Sequence, residues 1–280
     1  MTALPDLMIE PLVRAALAED LGRAGDVTAA ACVPANARFK AVFATRSPGV
    51  LAGVSCVRLA VHAMDPAATV SDRHADGDAF EAGAVLVEVE ANARALLAAE
   101  RTALNLLGRL CGVATLTRRY VEAVEGTGAR IADTRKTTPG LRALEKLAVA
   151  CGGGLNHRFG LDDAILIKDN HIAVCGGVGA AVRAARAHAG HLMKVEVEVD
   201  GLDQLDEALA EGPDVIMLDN FSLNDLRTAV ARTKGRVVLE ASGGVNLETV
   251  RAIAGTGVDV ISVGALTHSA ASLDIGLDAI

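Results

Sequence analysis

Arg135, Lys136, Arg158 and Lys168 stand in three short polar runs, T-R-K, N-H-R and K-D-N-H, of a chain whose formal net charge is -8. Planar guanidinium forks fit carboxylates and phosphates, and an ammonium adds a compact point charge. A cationic group inside an acidic protein therefore points to a small ligand with several negative charges, and away from a polyanion surface. His157 and His171 sit in the same runs. Glu198 and Asp219 end or interrupt two later apolar runs, and two hard carboxylates facing phosphate oxygens make a seat for magnesium. Spacing to Asp219 favours Glu198 over Glu196 for that place. Ser242-Gly243-Gly244 and Gly264-Ala265 follow the last two runs, where loops without bulky side chains let backbone N–H groups approach a phosphate. Each of these features has a plainer reading: Lys168 and Arg158 as surface charges, Glu196 and Glu198 as a solvated strand edge, the glycines as simple turns. Position weighs against the plainer readings: Lys168 follows an apolar run, Arg158 stands within Asn156-His157-Arg158-Phe159, and Glu196 and Glu198 alternate with Val in a strand that reads as buried.

Those runs begin near Ile131, Ile165, Val195, Val215, Val237 and Val260, at intervals of roughly 20 to 34 residues, each followed by a helix-compatible segment. Alternating strand and helix at this spacing predicts parallel βα units, with the continuous apolar strands covered on both faces. In a parallel α/β barrel the carboxyl ends of the strands meet on one face, so the polar groups would share one pocket. Upstream the pattern changes. Residues 8 to 20 predict a short helix, and short Val, Ala and Phe runs from Arg38 to Val89, punctuated by Ser47-Pro48-Gly49 and Asp76-Gly77-Asp78, predict an antiparallel sheet. Asn92 to Glu125 predicts a helical bridge with break points at Gly108 and Gly112. The chain thus reads as an α/β protein of two domains: 1–112, an N-terminal α/β sandwich with its linking helix, and 113–280, an open, incomplete α/β barrel, with the extreme C-terminus free to pack back on the first.

Composition narrows the function classes. Aromatics are 2% of residues and Trp is absent, which argues against base stacking, and the acidic balance argues against nucleic acid. Met1 to Asp20 lacks the cationic flank and apolar stretch of a signal peptide. No apolar run is long enough to span a bilayer, so the expected location is the cytoplasm. Cys32, Cys56, Cys111, Cys151 and Cys175 show no Cys-x-x-Cys pairing and read as free thiols in buried, small-hydrophobe positions. His62, His74, His188 and His191 read as surface residues.

The motifs E-R-T-A-L-N at 100 to 105, T-R-K-T-T-P-G-L-R at 134 to 142, N-H-R at 156 to 158, K-D-N-H-I at 168 to 172, V-E-V-E-V at 195 to 199, L-D-N-F at 218 to 221, S-G-G at 242 to 244 and V-G-A-L-T-H-S at 263 to 269 together resemble quinolinate phosphoribosyltransferase. The similarity extends from the early E-D-L-G-x-x-G-D-V-T segment to the C-terminus. It implies transfer of phosphoribosyl from 5-phosphoribosyl-1-pyrophosphate (PRPP) to quinolinate with loss of carbon dioxide, giving nicotinate mononucleotide. It also implies a homodimer in which Arg101 completes the neighbouring subunit's pocket. Thr134, Arg135, His157, Arg158 and Lys168 would hold the quinolinate carboxylates. Lys136, Glu198, Asp219, Ser242, Gly243, Gly244, Val263, Gly264, Ala265 and His268 would hold PRPP, with Glu198 and Asp219 on its magnesium. Lys136, Lys168, Glu198 and Asp219 would be the catalytic set. Competing readings are a fold-sharing relative linked to molybdenum uptake, a Schiff-base aldolase using Lys168, and a non-catalytic sensor of pyridine dicarboxylates or phosphates.

Overall fold

The computed structural model describes residues 4–280; Met1 to Ala3, which begin the segment read above for a signal peptide, lie outside the described residues. The chain forms two compact units, one of Met1–Arg118, Thr137–Gly153 and Leu266–Ile280 and one of Arg119–Lys136 and Gly154–Ala265. The units interleave along the sequence; the reading above placed a boundary at 112 and left the extreme C-terminus free to pack back on the first domain.

In the first unit, helix α1 (Asp6–Leu21) buries Ile9, Val13 and Leu17, one stripe at four-residue spacing. Asp26 caps α2 (Val27–Cys32) by accepting from the Ala29 N–H at 2.8 Å. Next come β1 (Arg38–Thr45), β2 (Gly49–Val50), α3 (Val54–Met64), β3 (Thr69–Asp72), β4 (Ala79–Phe80) and β5 (Val85–Asn92). The antiparallel sheet predicted between Arg38 and Val89 is present. Ala41 stands opposite Val89 and Phe43 opposite Val87, all fully buried, so alternate residues of β1 and β5 make one core face. The expected break points in the next helix are overturned, since α4 (Ala93–Ala123) runs unbroken through Gly108 and Gly112. A Cβ at Gly112 would lie 2.0 Å from the Ala271 carbonyl oxygen, and one at Gly108 would lie 2.8 Å from that of Leu273. These glycines admit a returning segment of chain against the helix; they do not end it. Helix α5 (Arg142–Cys151) belongs to the same unit.

The second unit holds six parallel strands: β6 (Arg130–Ala132), β7 (Ile165–Ile167), β8 (Val195–Val199), β9 (Val215–Asp219), β10 (Val238–Ser242) and β11 (Val260–Ser262). Every strand starts within one residue of the predicted run. Their order is β6-β11-β10-β9-β8-β7, so the first and last strands in sequence are neighbours. That cyclic order is a barrel with its seam between β6 and β7, where an isolated bridge joins Ala132 to Leu155. Helices α6 (Asp169–Cys175), α7 (Val178–His188), α8 (Leu202–Glu211), α9 (Leu223–Thr233) and α10 (Val250–Ala254) separate the strands in sequence. After α11 (Ala265–His268), strand β12 (Ile275–Ala279) pairs with β1, so the C-terminus closes the antiparallel sheet in the order β12-β1-β5-β3.

Candidate active site

Parallel register carries polar side chains from the strands to one mouth. Glu198 is opposite Met217, Met217 opposite Glu240, and Asp219 opposite Ser242. Side chains alternate along a strand, so these residues share a face, and Lys168 joins them two residues beyond the Leu166–Glu196 pair. Of the residues singled out in the sequence, Thr134, Arg135, Lys136, His157, Arg158, Lys168, Glu198, Asp219 and Ser242 to Gly244 line one cavity of about 610 Å³. Val263, Gly264 and Ala265 follow β11 outside that lining. Val263 is buried, and its N–H donates to the Ala132 carbonyl at 2.9 Å, tying β11 to β6. Arg101, exposed on α4, and His268, exposed with Nδ1 2.7 Å from Ser269 Oγ, both lie in the first unit.

The site is polar where barrel interiors are usually filled by aliphatic side chains. Lys168 Nζ pairs with Glu198 Oε2 at 2.5 Å. His171 lies outside that lining, and its Nδ1 accepts the Lys168 backbone N–H at 2.9 Å and closes the first turn of α6. Glu198 lines the cavity, while Glu196, outside that lining, holds His157 Nε2 at 3.0 Å. Buried Asp133 fixes the N-H-R run by accepting from the His157 N–H and from Asn156 Nδ2, both at 2.8 Å. His157 Nδ1 in turn accepts the Arg158 N–H at 2.7 Å. Among the described residues, the buried Nε groups of Arg135 and Arg158 have no hydrogen-bond partner. Buried donors in that state are uncommon. Burial, followed by the neighbouring Arg135 charge, lowers the Arg158 pKa, which marks a place where an anion is wanted.

Gly243 sits at φ +94°, and a Cβ there would meet Asn220 Oδ1 at 2.2 Å. Only glycine allows that loop to fold against Asn220. The sequence reading missed Asp133, Glu240 and Ser262. Glu240 is 3% exposed on β10 yet lines the cavity. Burial, followed by the charge of Glu196, pushes its carboxyl up to about 7. The sequence shows only a lone acid inside V-V-L-E-A; the register that sets it level with Glu198 across β9 is what gives it meaning.

The cysteine expectation holds for three of five. Burial raises the thiols of Cys56, Cys111 and Cys151 to about 12, whereas Cys32 and Cys175 are exposed. Both lie on short helices with few or no buried positions. Of the histidines read as surface residues, His188 and His191 are exposed, while His62 and His74 are half-buried.

An open parallel barrel that gathers guanidinium groups, a lysine, two carboxylates and a glycine loop at its strand ends is an enzyme scaffold for an anionic, phosphate-bearing substrate. Comparison with known proteins refines this class. Residues 113–278 match the family model described as quinolinate phosphoribosyl transferase, C-terminal domain, and residues 26–111 match that of its N-terminal domain. A Mycobacterium leprae relative named nicotinate-nucleotide pyrophosphorylase (carboxylating) is 52% identical over 272 residues, 95% of each chain. A Bacillus subtilis relative, named as a probable enzyme of that kind, is 44% identical over 97% of this chain and 93% of its own. The crystal structure of NadC from Streptococcus pyogenes superposes with a TM-score of 0.95 at 41% identity, covering 99% of this chain and 98% of that one. The chain belongs to the quinolinate phosphoribosyltransferase family.

Proposed function

We infer that this enzyme transfers phosphoribosyl from PRPP to quinolinate with decarboxylation, yielding nicotinate mononucleotide, pyrophosphate and carbon dioxide for NAD biosynthesis. The observation that carries the reading is one cavity with partnerless Arg135 and Arg158 Nε groups, a lysine, two strand-end carboxylates and a glycine loop. Arg135 and Arg158, with Thr134, His157 and Lys168 beside them, offer donors to the two carboxylates of a pyridine dicarboxylate. Ser242, Gly243 and Gly244 offer a loop for phosphate, and Val263, Gly264, Ala265 and His268 extend that role on the family resemblance. Lys136, exposed at the mouth, neutralises charge on departing pyrophosphate while the pyridine nitrogen attacks the anomeric carbon. Holding both reactants in one orientation supplies much of the rate.

Magnesium fits the donor set, since Glu198 and Asp219 offer hard oxygens from one face of adjacent strands. When bound it supplies further neutralisation of pyrophosphate charge. Lys168 and Glu198 would then each trade a bond to the other for a ligand of opposite sign.

A homodimer with Arg101 reaching the neighbouring subunit's pocket accords with two features. The Arg101 side chain is 63% exposed, and α6, directly after Lys168, has no buried residue and leaves Val174 89% exposed. Action in the cytoplasm accords with five free cysteines; no helix among the described residues is long and apolar enough to cross a membrane. The test is to incubate the protein with quinolinate, PRPP and magnesium and measure nicotinate mononucleotide and pyrophosphate, with nicotinate as control substrate. Product from nicotinate alone refutes the assignment.

A further inference from the structure

The proposed reaction requires a proton that neither substrate brings as a carboxylate or a pyrophosphate. When the quaternised ring loses its carboxylate, the electron pair of the broken carbon–carbon bond stays on the ring carbon, and that carbon must become C–H. Guanidinium groups are poor acids, so Arg135 and Arg158 do not answer the need.

The cavity floor holds a different kind of group. Glu240 projects from β10 on the cavity face, opposite Met217 and Val260. Among the described residues its buried Oε1 finds no hydrogen-bond partner, and it lies 3.7 Å from His157 Nε2. That same nitrogen is 3.0 Å from Glu196 Oε2, and one ligating atom from each of the three side chains lies within 4.8 Å of the others. Because His157 Nδ1 accepts the Arg158 N–H, a neutral imidazole carries its proton on Nε2, and Glu196 is near enough to take that hydrogen bond. The other groups facing Glu240 are Asp133, a further acid that disfavours its ionisation, and the Ser262 hydroxyl, which favours it more weakly than burial and Glu196 oppose it. Two ionised carboxylates around a single N–H, both buried, are costly, so a proton is retained there.

Resting on the phosphoribosyl-transfer reading, we propose that Glu240, kept as a neutral carboxylic acid, donates the proton that replaces carbon dioxide on the pyridine ring. The C–C bond breaks with its pair left on the ring carbon, the Glu240 O–H bond breaks, and the proton forms the new C–H bond. Water then reprotonates the carboxylate.

The test is rapid-quench single turnover of the full-length protein with magnesium, comparing wild type, Glu240→Gln and Glu240→Asp. In the Gln variant pyrophosphate release stays within about threefold of wild type. Nicotinate mononucleotide formation falls roughly 100-fold, the usual scale for a lost general acid, while the intermediate that still carries both carboxylates accumulates. The wild-type product-forming step slows as pH rises past neutrality, and the residual rate of the Gln variant is flat across that range. Glu240→Asp, an acid one methylene shorter, recovers part of the rate and keeps the pH dependence, so it also serves should the Gln variant fail to fold. Product at the wild-type rate from Glu240→Gln, or equal loss of pyrophosphate and product in a folded variant, overturns the proton role and leaves the transfer reading intact. Wild-type protein that releases no pyrophosphate overturns both.

Discussion

Lys168 and Glu198 lie 2.5 Å apart, and under the proposed roles each would exchange the other for a ligand of opposite sign when substrate binds. If Lys168 holds a quinolinate carboxylate as proposed, deleting it removes one charge-assisted contact, worth about 2 kcal/mol. Lys168→Ala is expected to bind quinolinate roughly 30-fold more weakly by calorimetric titration with its melting cooperativity unchanged; unaltered affinity would remove Lys168 from the carboxylate set. Glu240 carries a pH signature of its own. Its folded pKa, about 7, exceeds the ordinary 4.5, so the native state binds the proton more tightly than the unfolded chain. Its contribution to stability is complete below pH 4.5 and is lost as pH rises through about 7. Glutamine never ionises, so the melting temperature of Glu240→Gln relative to wild type should climb between pH 5 and pH 8; a difference constant with pH would contradict this. Arg135, Lys168 and Asp219 were legible in the sequence because a polar group at the end of an apolar run is a local signal. Asp133 and Glu240 were not, since their significance depends on which strand lies beside them.

Strand starts in the barrel were legible to within one residue because buried parallel strands are short, apolar and sharply bounded by polar residues. Glycines in α4 were misjudged for the opposite reason. Gly108 and Gly112 look like helix weaknesses in isolation, and what they accommodate, Ala271 to Leu273, lies some 160 residues further along the chain. The Leu273 N–H donates to the Gly108 carbonyl at 3.0 Å, which fixes the segment against the helix just before β12 joins β1. A side chain at Gly112 must displace backbone, which side-chain rotation cannot relieve. Gly112→Val should therefore destabilise the protein by about 1–3 kcal/mol, the range for overpacking, and speed proteolysis after residue 265, as read by denaturant unfolding and mass spectrometry of the fragments. Wild-type stability in that variant would mean that the close approach of the C-terminal segment is dispensable.

At the scale of the whole molecule, an acidic chain carries a cationic cavity, and a single chain leaves two features without a use: exposed Arg101 and the unburied helix α6. Composition gave no sign of this, because the apolar content of a whole chain does not say which residues face a second copy; only the family resemblance pointed to a homodimer. If Arg101 serves the neighbouring subunit, two separate defects can complement each other. Arg101→Ala and Lys168→Ala homodimers would each be impaired at both sites. In a hybrid, the subunit with intact Lys168 receives Arg101 from its partner and one site is whole, while the other carries both defects. Random reassortment makes half of the dimers hybrids, so mixing equal amounts after subunit exchange should restore about a quarter of wild-type activity. Hybrid dimers confirmed by native mass spectrometry yet without recovered activity would show that Arg101 acts within its own chain, or has no part in the pocket.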